Sequence, residues 1–153
     1  ENRTAVIDEL SDLSGMNVTD SCFDDSKPMT WQQVREMSGN GMEIGSHTRS
    51  HPILSRLPKE RLEAEILGSK QDIEEKLGKP VPVLAYPAGR ETAYNATVMA
   101  LTEEAGYQLA CTYRSGVNRS SEPDSFALRR LHVEHYMSRS MFRAMLAWPA
   151  LFS

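Results

Sequence analysis

Apolar residues recur along this chain at two spacings, and the switches between them mark out its elements. Val6, Ile7, Leu10 and Leu13 fall at helical intervals and predict a short amphipathic helix ending near Gly15. A polar stretch over 17–27 follows and reads as loop. Thr30-Trp31-Gln32-Gln33 has the form of a capping box, in which the Thr hydroxyl serves the Gln33 amide and the Gln33 side chain reaches back. Trp31, Val34 and Met37 stripe the helix this box starts, and Gly39 and Gly41 end it. A short strand over 42–45 comes next. Pro58 suits the first position of a longer helix with Leu62, Ile66, Ile73 and Leu77 inward, closed by Gly78 and Pro80. The Lys, Glu, Asp and Gln positions on its other side read as an ordinary solvated face. Residues 81–86 form a buried strand. A helix capped by Asn95 turns Val98, Leu101 and Ala105 inward and stops at Gly106. Strands over 107–113 and 128–133 flank a loop over 115–125. The last helix is capped by Ser138 or Ser140, with Met141, Phe142, Met145, Leu146 and Trp148 as its apolar side.

Helices and strands alternate after residue 30, which implies an α/β domain with parallel strands and crossover helices. Composition agrees with that class. The chain has 153 residues, 40% hydrophobic and 25% charged, enough for one globular domain with its own core. No apolar run approaches the roughly eighteen residues of a membrane span. Seventeen basic residues against 21 acidic ones give a net charge of −4, without the basic stripe that nucleic acid requires. Cys22 and Cys111 stand far apart outside any C-x-x-C pattern and fit either a disulfide in an oxidising compartment or two free thiols. The chain opens at Glu1 rather than at a methionine, so it reads as a processed or truncated product.

The candidate chemistry centres on Ser46-His47-Thr48-Arg49-Ser50-His51-Pro52. Pro52 opposes a helix through this segment, because the residue before a proline is driven out of the α region. A strand followed by a tight loop is the geometry expected to bring both rings to one point. Neutral imidazole suits a divalent transition metal, yet a catalytic zinc centre usually takes three protein ligands. Two loop histidines bonded to backbone would satisfy the same spacing. Phe23-Asp24-Asp25 offers paired carboxylates that can bind a metal or act as a base, although Ser26, Lys27 and Pro28 favour a solvated turn. In parallel α/β folds, sites form at the C-terminal ends of strands. Those ends deliver His47 and His51, then Tyr86-Pro87 with Arg90 just beyond, then Thr112 or Tyr113, then His132 or His135. A third histidine there would suit a general acid. The alternatives are a core imidazole at 132 and an exposed loop residue at 135.

These segments together resemble a family. Gly45-Ser46-His47-Thr48-Arg49-Ser50-His51-Pro52, preceded by Met29-Thr30-Trp31-Gln32-Gln33-Val34, is similar to the second motif of the polysaccharide deacetylases, the NodB-homology or carbohydrate esterase 4 family. Leu84-Ala85-Tyr86-Pro87-Ala88-Gly89-Arg90, Glu104-Ala105-Gly106-Tyr107 and Arg129-Arg130-Leu131-His132-Val133 resemble later segments of that family in the same order, over residues 29–135. The resemblance implies a distorted (β/α) barrel with fewer than eight strands. It implies a divalent metal, commonly zinc, held by an Asp and two His, and removal of N-acetyl groups from an amino-sugar polymer. It also implies a cell-envelope or extracytoplasmic setting. His47 and His51 match the metal ligands. Tyr86, with Pro87 and Arg90, matches the region beside the substrate acetyl group, and His132 is the nearest match to the acid.

Two departures from the family pattern shape the expectation. The family's Thr-Phe-Asp-Asp-Gly motif lies well upstream of the His pair, whereas Phe23-Asp24-Asp25 leaves only 21 residues before His47, too few for the intervening helix and strand. That match is therefore read as accidental. The Leu-x-His acid motif is also incomplete at Leu131-His132. The chain is accordingly expected to be a barrel incomplete at its N-terminus, spanning 1–153 as one domain, with 1–28 as lead-in and 136–153 as a C-terminal helix. Such a chain would bind metal weakly, be inactive alone, and expose a sheet edge that invites oligomerisation. The rival reading is a catalytically dead carbohydrate-binding or scaffold domain on the same fold.

Overall fold

The computed structural model describes residues 28–118 and 124–152, together with Glu9, Asp12 and Leu13. Most of the early helix, the Phe23-Asp24-Asp25 turn and Cys22 lie outside the described residues. Helix α1 (Trp31–Gly39) starts where the capping box places it. Thr30 Oγ1 accepts from the Gln33 amide at 3.3 Å, and Gln33 Oε1 accepts from the Thr30 amide at 2.8 Å.

The strand expected over 42–45 does not form. One parallel bridge remains, in which the Ser46 amide donates to Val83 O at 2.8 Å and the Ala85 amide donates to Ser46 O at 2.9 Å. The ladder stops there because the polar groups of Val81, which would continue it, are turned to the preceding helix, Lys59–Leu77. Lys70 Nζ donates to Val81 O at 2.7 Å, and the Val81 amide donates to Glu74 Oε1 at 2.8 Å. For the same reason β1 (Val83–Ala85) is shorter than the expected 81–86.

Helix α2 (Lys59–Leu77) begins one residue later than expected. Pro58 is extended at φ −65°, ψ 156°, and so precedes the helix rather than opening it. Gly78 ends α2 at φ 67°, a left-handed conformation that glycine adopts without a Cβ clash. Asn95 caps α3 (Ala96–Glu104), its Oδ1 accepting from the Val98 amide at 3.0 Å. Strands β2 (Leu109–Ser115) and β3 (Leu128–Arg130) complete a three-stranded parallel sheet in the order β1-β2-β3. Parallel strands joined through helices are what the alternating pattern implies. Among the described residues the sheet is open rather than closed into a barrel, and Ser46 covers only one position of the free β1 edge.

The core lies between this sheet and helices α2 and α3. Leu54, Leu62, Ile66, Val81, Leu84, Tyr86, Val98, Tyr107 and Ala110 are buried in it. Full burial of Ile66 or Leu84 contributes about 1.5–3 kcal/mol each. Helix α4 (Arg139–Ala147) is capped by Ser138, whose hydroxyl accepts from the Met141 amide at 3.2 Å. Its apolar side departs from expectation, since only Met145 is buried, while Met141, Phe142, Leu146 and Trp148 stay exposed. The stripe is amphipathic, but the described part of the chain offers it too little surface to cover.

Candidate active site

The C-terminal ends of the bridge segment, β1, β2 and β3 open onto one cleft of about 570 Å³, lined by His47, His51, Tyr86, Ala88, Arg90, Tyr113 and Arg130. His47 follows directly on the bridge at Ser46. Its Nδ1 lies 2.7 Å from Ala85 O. A backbone carbonyl only accepts, so in the neutral ring Nδ1 is the one that carries the hydrogen and Nε2 the one with a lone pair for a ligand. A histidine pinned in this way by a carbonyl is the usual support of a metal ligand. The His51 ring stands edge-on to it, with centroids 4.8 Å apart and planes at 72°. The donor set therefore suits a divalent ion. No third His, Cys, Asp or Glu joins the pair among the described residues.

The loop between the histidines is held by the face of α2 that the pattern of charges marked as solvated, and this is a correction. Glu65 is only 5% exposed. Its Oε2 accepts from the Arg49 amide at 2.8 Å and the Ser50 amide at 2.9 Å, and its Oε1 accepts the Ser50 hydroxyl. The Arg49 guanidinium crosses Gly68 and donates to both Asp72 oxygens at 2.6 and 2.7 Å. A Cβ at Gly68 would lie 2.5 Å from that guanidinium. The Ser46 and Ser69 hydroxyls meet at 2.7 Å beneath the loop. Sequence reasoning missed Glu65, Gly68, Ser69 and Asp72. The available signal was their recurrence on one helical face, with two small residues breaking it beside the apolar stripe.

Tyr86 forms a wall of the cleft but is 1% exposed, stacked on Tyr94 with centroids 4.9 Å apart, and its hydroxyl donates to Phe126 O at 3.0 Å. Burial pushes that hydroxyl up to about 12, so it stays protonated and acts as a donor rather than a base. Pro87 is fully buried behind it. Arg90 and Arg130 place two cations at the cleft, and Arg130 Nε donates to Thr112 O at 2.7 Å. His132 does not join His47 and His51 there. It adjoins a second cavity lined by Met137, Met141 and Met145, with Tyr113 bordering both. Its ring packs edge-on to Tyr113 at 4.0 Å, and its buried Nε2 has no partner among the described residues. His135 stands outside the cleft against Tyr136. Thr112 is buried, its hydroxyl donating to Leu128 O at 3.0 Å, so Tyr113 is the β2 residue that reaches the cleft.

Three carboxylates on α2 tie the fold to pH. Burial raises Glu65, but the hydroxyl and amide of Ser50, the amide of Arg49 and the charge of Arg61 outweigh it and hold the carboxyl below its ordinary 4.5. Arg49 lowers Asp72, and Lys70 with the Val81 amide lowers Glu74. A depressed folded-state value contributes stability above the unfolded value that is lost as pH falls through the folded one. The melting temperature is therefore expected to hold from neutrality down to about pH 4.5 and to fall below it. A series of thermal melts checks this, and a flat profile through that range contradicts it.

The profile of the polysaccharide deacetylases matches residues 10–110. The chain belongs to the polysaccharide deacetylase family. It is 32% identical over 116 residues to YxkH of Bacillus subtilis (strain 168), named for the polysaccharide deacetylases, covering 76% of this chain and 40% of that protein. Among solved structures it resembles the Streptococcus pyogenes deacetylase PplD in complex with acetate, with a TM-score of 0.69 and 27% identity over 76% of this chain and 50% of that one. The polysaccharide deacetylase BC0361 of Bacillus cereus superposes with a TM-score of 0.67 and 28% identity, over 76% and 36% of the two chains. The chain thus spans half or less of these relatives. As a member of this family it resembles them over the matched part, and its described residues form an α/β fold with a parallel sheet. No described helix is long and apolar enough to cross a membrane.

Proposed function

We propose that this chain carries part of the site for metal-dependent hydrolysis of N-acetyl groups on an amino-sugar polysaccharide, with His47 and His51 as ligands to a divalent ion, zinc being among the ions that imidazole suits and the one the family resemblance implies. The observation that carries the reading is the meeting of the two rings, with His47 Nδ1 held by Ala85 O and Nε2 left free. When bound, a divalent ion there supplies polarisation of the acetamide carbonyl and lowers the pKa of water. The chain's own residues shape the rest. Tyr86, backed by buried Pro87, forms one wall, and Ala88 and Tyr113 border the space for an acetyl group. Arg90 and Arg130 bind polar groups of the sugar polymer at the rim. His132 takes the role of proton donor to the departing amine, which requires the Tyr113 ring to move from its place beside it. The sheet is read as a segment of the family's distorted barrel. Acetate bound to PplD is the product that such a reaction releases.

Calorimetric zinc titration, paired with acetate release from an acetylated glucosamine oligomer, tests the reading. Zinc is expected to bind, weakly because the described residues supply two ligands, and to be lost in His47→Ala and His51→Ala. Zinc affinity unchanged in both variants would overturn the proposal. The two-ligand set also favours a second reading, a carbohydrate-binding domain without turnover. The leading reading expects little or no acetate release from this chain alone, so oligomer binding that needs no zinc and survives His47→Ala and His51→Ala selects the second.

A further inference from the structure

Residues 47–51 form a loop in which two non-glycine residues are left-handed, Thr48 at φ 67° and His51 at φ 57°. Such backbone costs about 1–3 kcal/mol per residue and persists only where the surroundings over-determine it. Glu65 supplies that determination. From the middle of α2, its carboxylate takes the two consecutive amides of Arg49 and Ser50 on one oxygen and the Ser50 hydroxyl on the other. These are the peptide units that lie between the two rings. Hydrogen bonds to an ionised acceptor are about twice as strong as neutral ones. A second bond fixes the loop from within, the His51 amide donating to Thr48 Oγ1 at 3.1 Å. Arg49 leaves in the opposite direction to Asp72, so the loop is clamped on both sides of Gly68.

We infer that Glu65 is a positioning residue for metal binding: by fixing the Arg49–Ser50 backbone it directs His51 toward His47. The inference rests on the metal reading proposed above. A merely structural Glu65 would affect stability alone, whereas a positioning residue changes zinc affinity in protein that is still folded. Supporting groups around a metal ligand typically change affinity about 10–100-fold.

The test is a zinc titration followed by NMR through the ring signals of His47 and His51, assigned from single histidine variants. Glu65→Ala is expected to weaken zinc binding about 10–100-fold. Glu65→Gln should recover most of that loss, since its carbonyl oxygen still accepts both amides. Glu74→Ala removes a carboxylate from the same helix, bonded to Lys70 and Val81 rather than to the loop, and is expected to leave zinc affinity at the parental value. Folded Glu65→Ala with parental affinity overturns the inference, as does Glu74→Ala weakening zinc equally. Where Glu65→Ala fails to fold, Ser50→Ala removes one of the three bonds outside the core. A smaller loss supports the inference, and parental affinity overturns it. Failure of the metal reading looks different, because the parent rings would not respond to zinc at all.

Discussion

Tyr86→Ala is expected to destabilise the domain by about 3–5 kcal/mol, the range for truncating a large buried aromatic side chain. The residue is 1% exposed, stacks on Tyr94, and anchors Phe126 O across the sheet. Its removal opens a void behind the cleft, beside the Tyr94 ring and the Phe126 carbonyl. Tyr86→Phe isolates the hydroxyl. That change keeps the ring and leaves the Phe126 carbonyl without its donor, so the cost is about 1–3 kcal/mol. Equilibrium unfolding in urea measures both. Losses that are equal for the two variants would place the whole effect in the hydroxyl and contradict the packing argument.

Gly89→Ala is the second change with a large expected effect, about 2–5 kcal/mol, combining a left-handed backbone with overpacking. Gly89 sits at φ 48°, and a Cβ there would fall 2.5 Å from the Tyr113 amide nitrogen and 2.8 Å from Tyr113 Cβ. The turn after β1 lies directly on β2, with Tyr113 donating its amide to Gly89 O at 2.8 Å. Backbone, unlike the end of a flexible side chain, has nowhere to go. The adjacent Ala88, also left-handed at φ 56° but exposed, is the control. Ala88→Gly removes a strained Cβ and is expected to leave stability nearly unchanged or slightly raised. Thermal melts of the two variants check the contrast. A loss at 89 no larger than the gain at 88 would show that conformation alone, and not the approach to β2, decides the cost.

Both positions bear on how the cleft could be read before its coordinates were known. The motif around His47 and His51 and the Tyr86-Pro87 strand end were legible because they are contiguous. Each carries its own local signal: a proline that stops a helix, or an apolar run that ends in a turn. The caps at Thr30 and Asn95 were legible for the same reason, since a capping side chain serves an amide three residues away, while the choice of Ser138 over Ser140 came from the structure. The strand over 42–45 was misjudged because strand formation depends on a partner, and the groups of Val81 that would have paired with it belong to Lys70 and Glu74. His132 and His135 both follow β3, which ends at Arg130, and neither lines the cleft of His47 and His51; Tyr113 stands between that cleft and the cavity of His132.

By itself the sequence determined an α/β class with parallel strands, the succession of helices after residue 30, and the caps at Thr30 and Asn95, because these follow from near neighbours along the chain. Tertiary structure alone decided that a carboxylate on α2 holds the loop between them, that Gly89 must lack a side chain, and which cavity His132 adjoins. Those outcomes depend on atoms fifteen or more residues apart meeting at hydrogen-bond or van der Waals distance, and no local periodicity encodes such meetings.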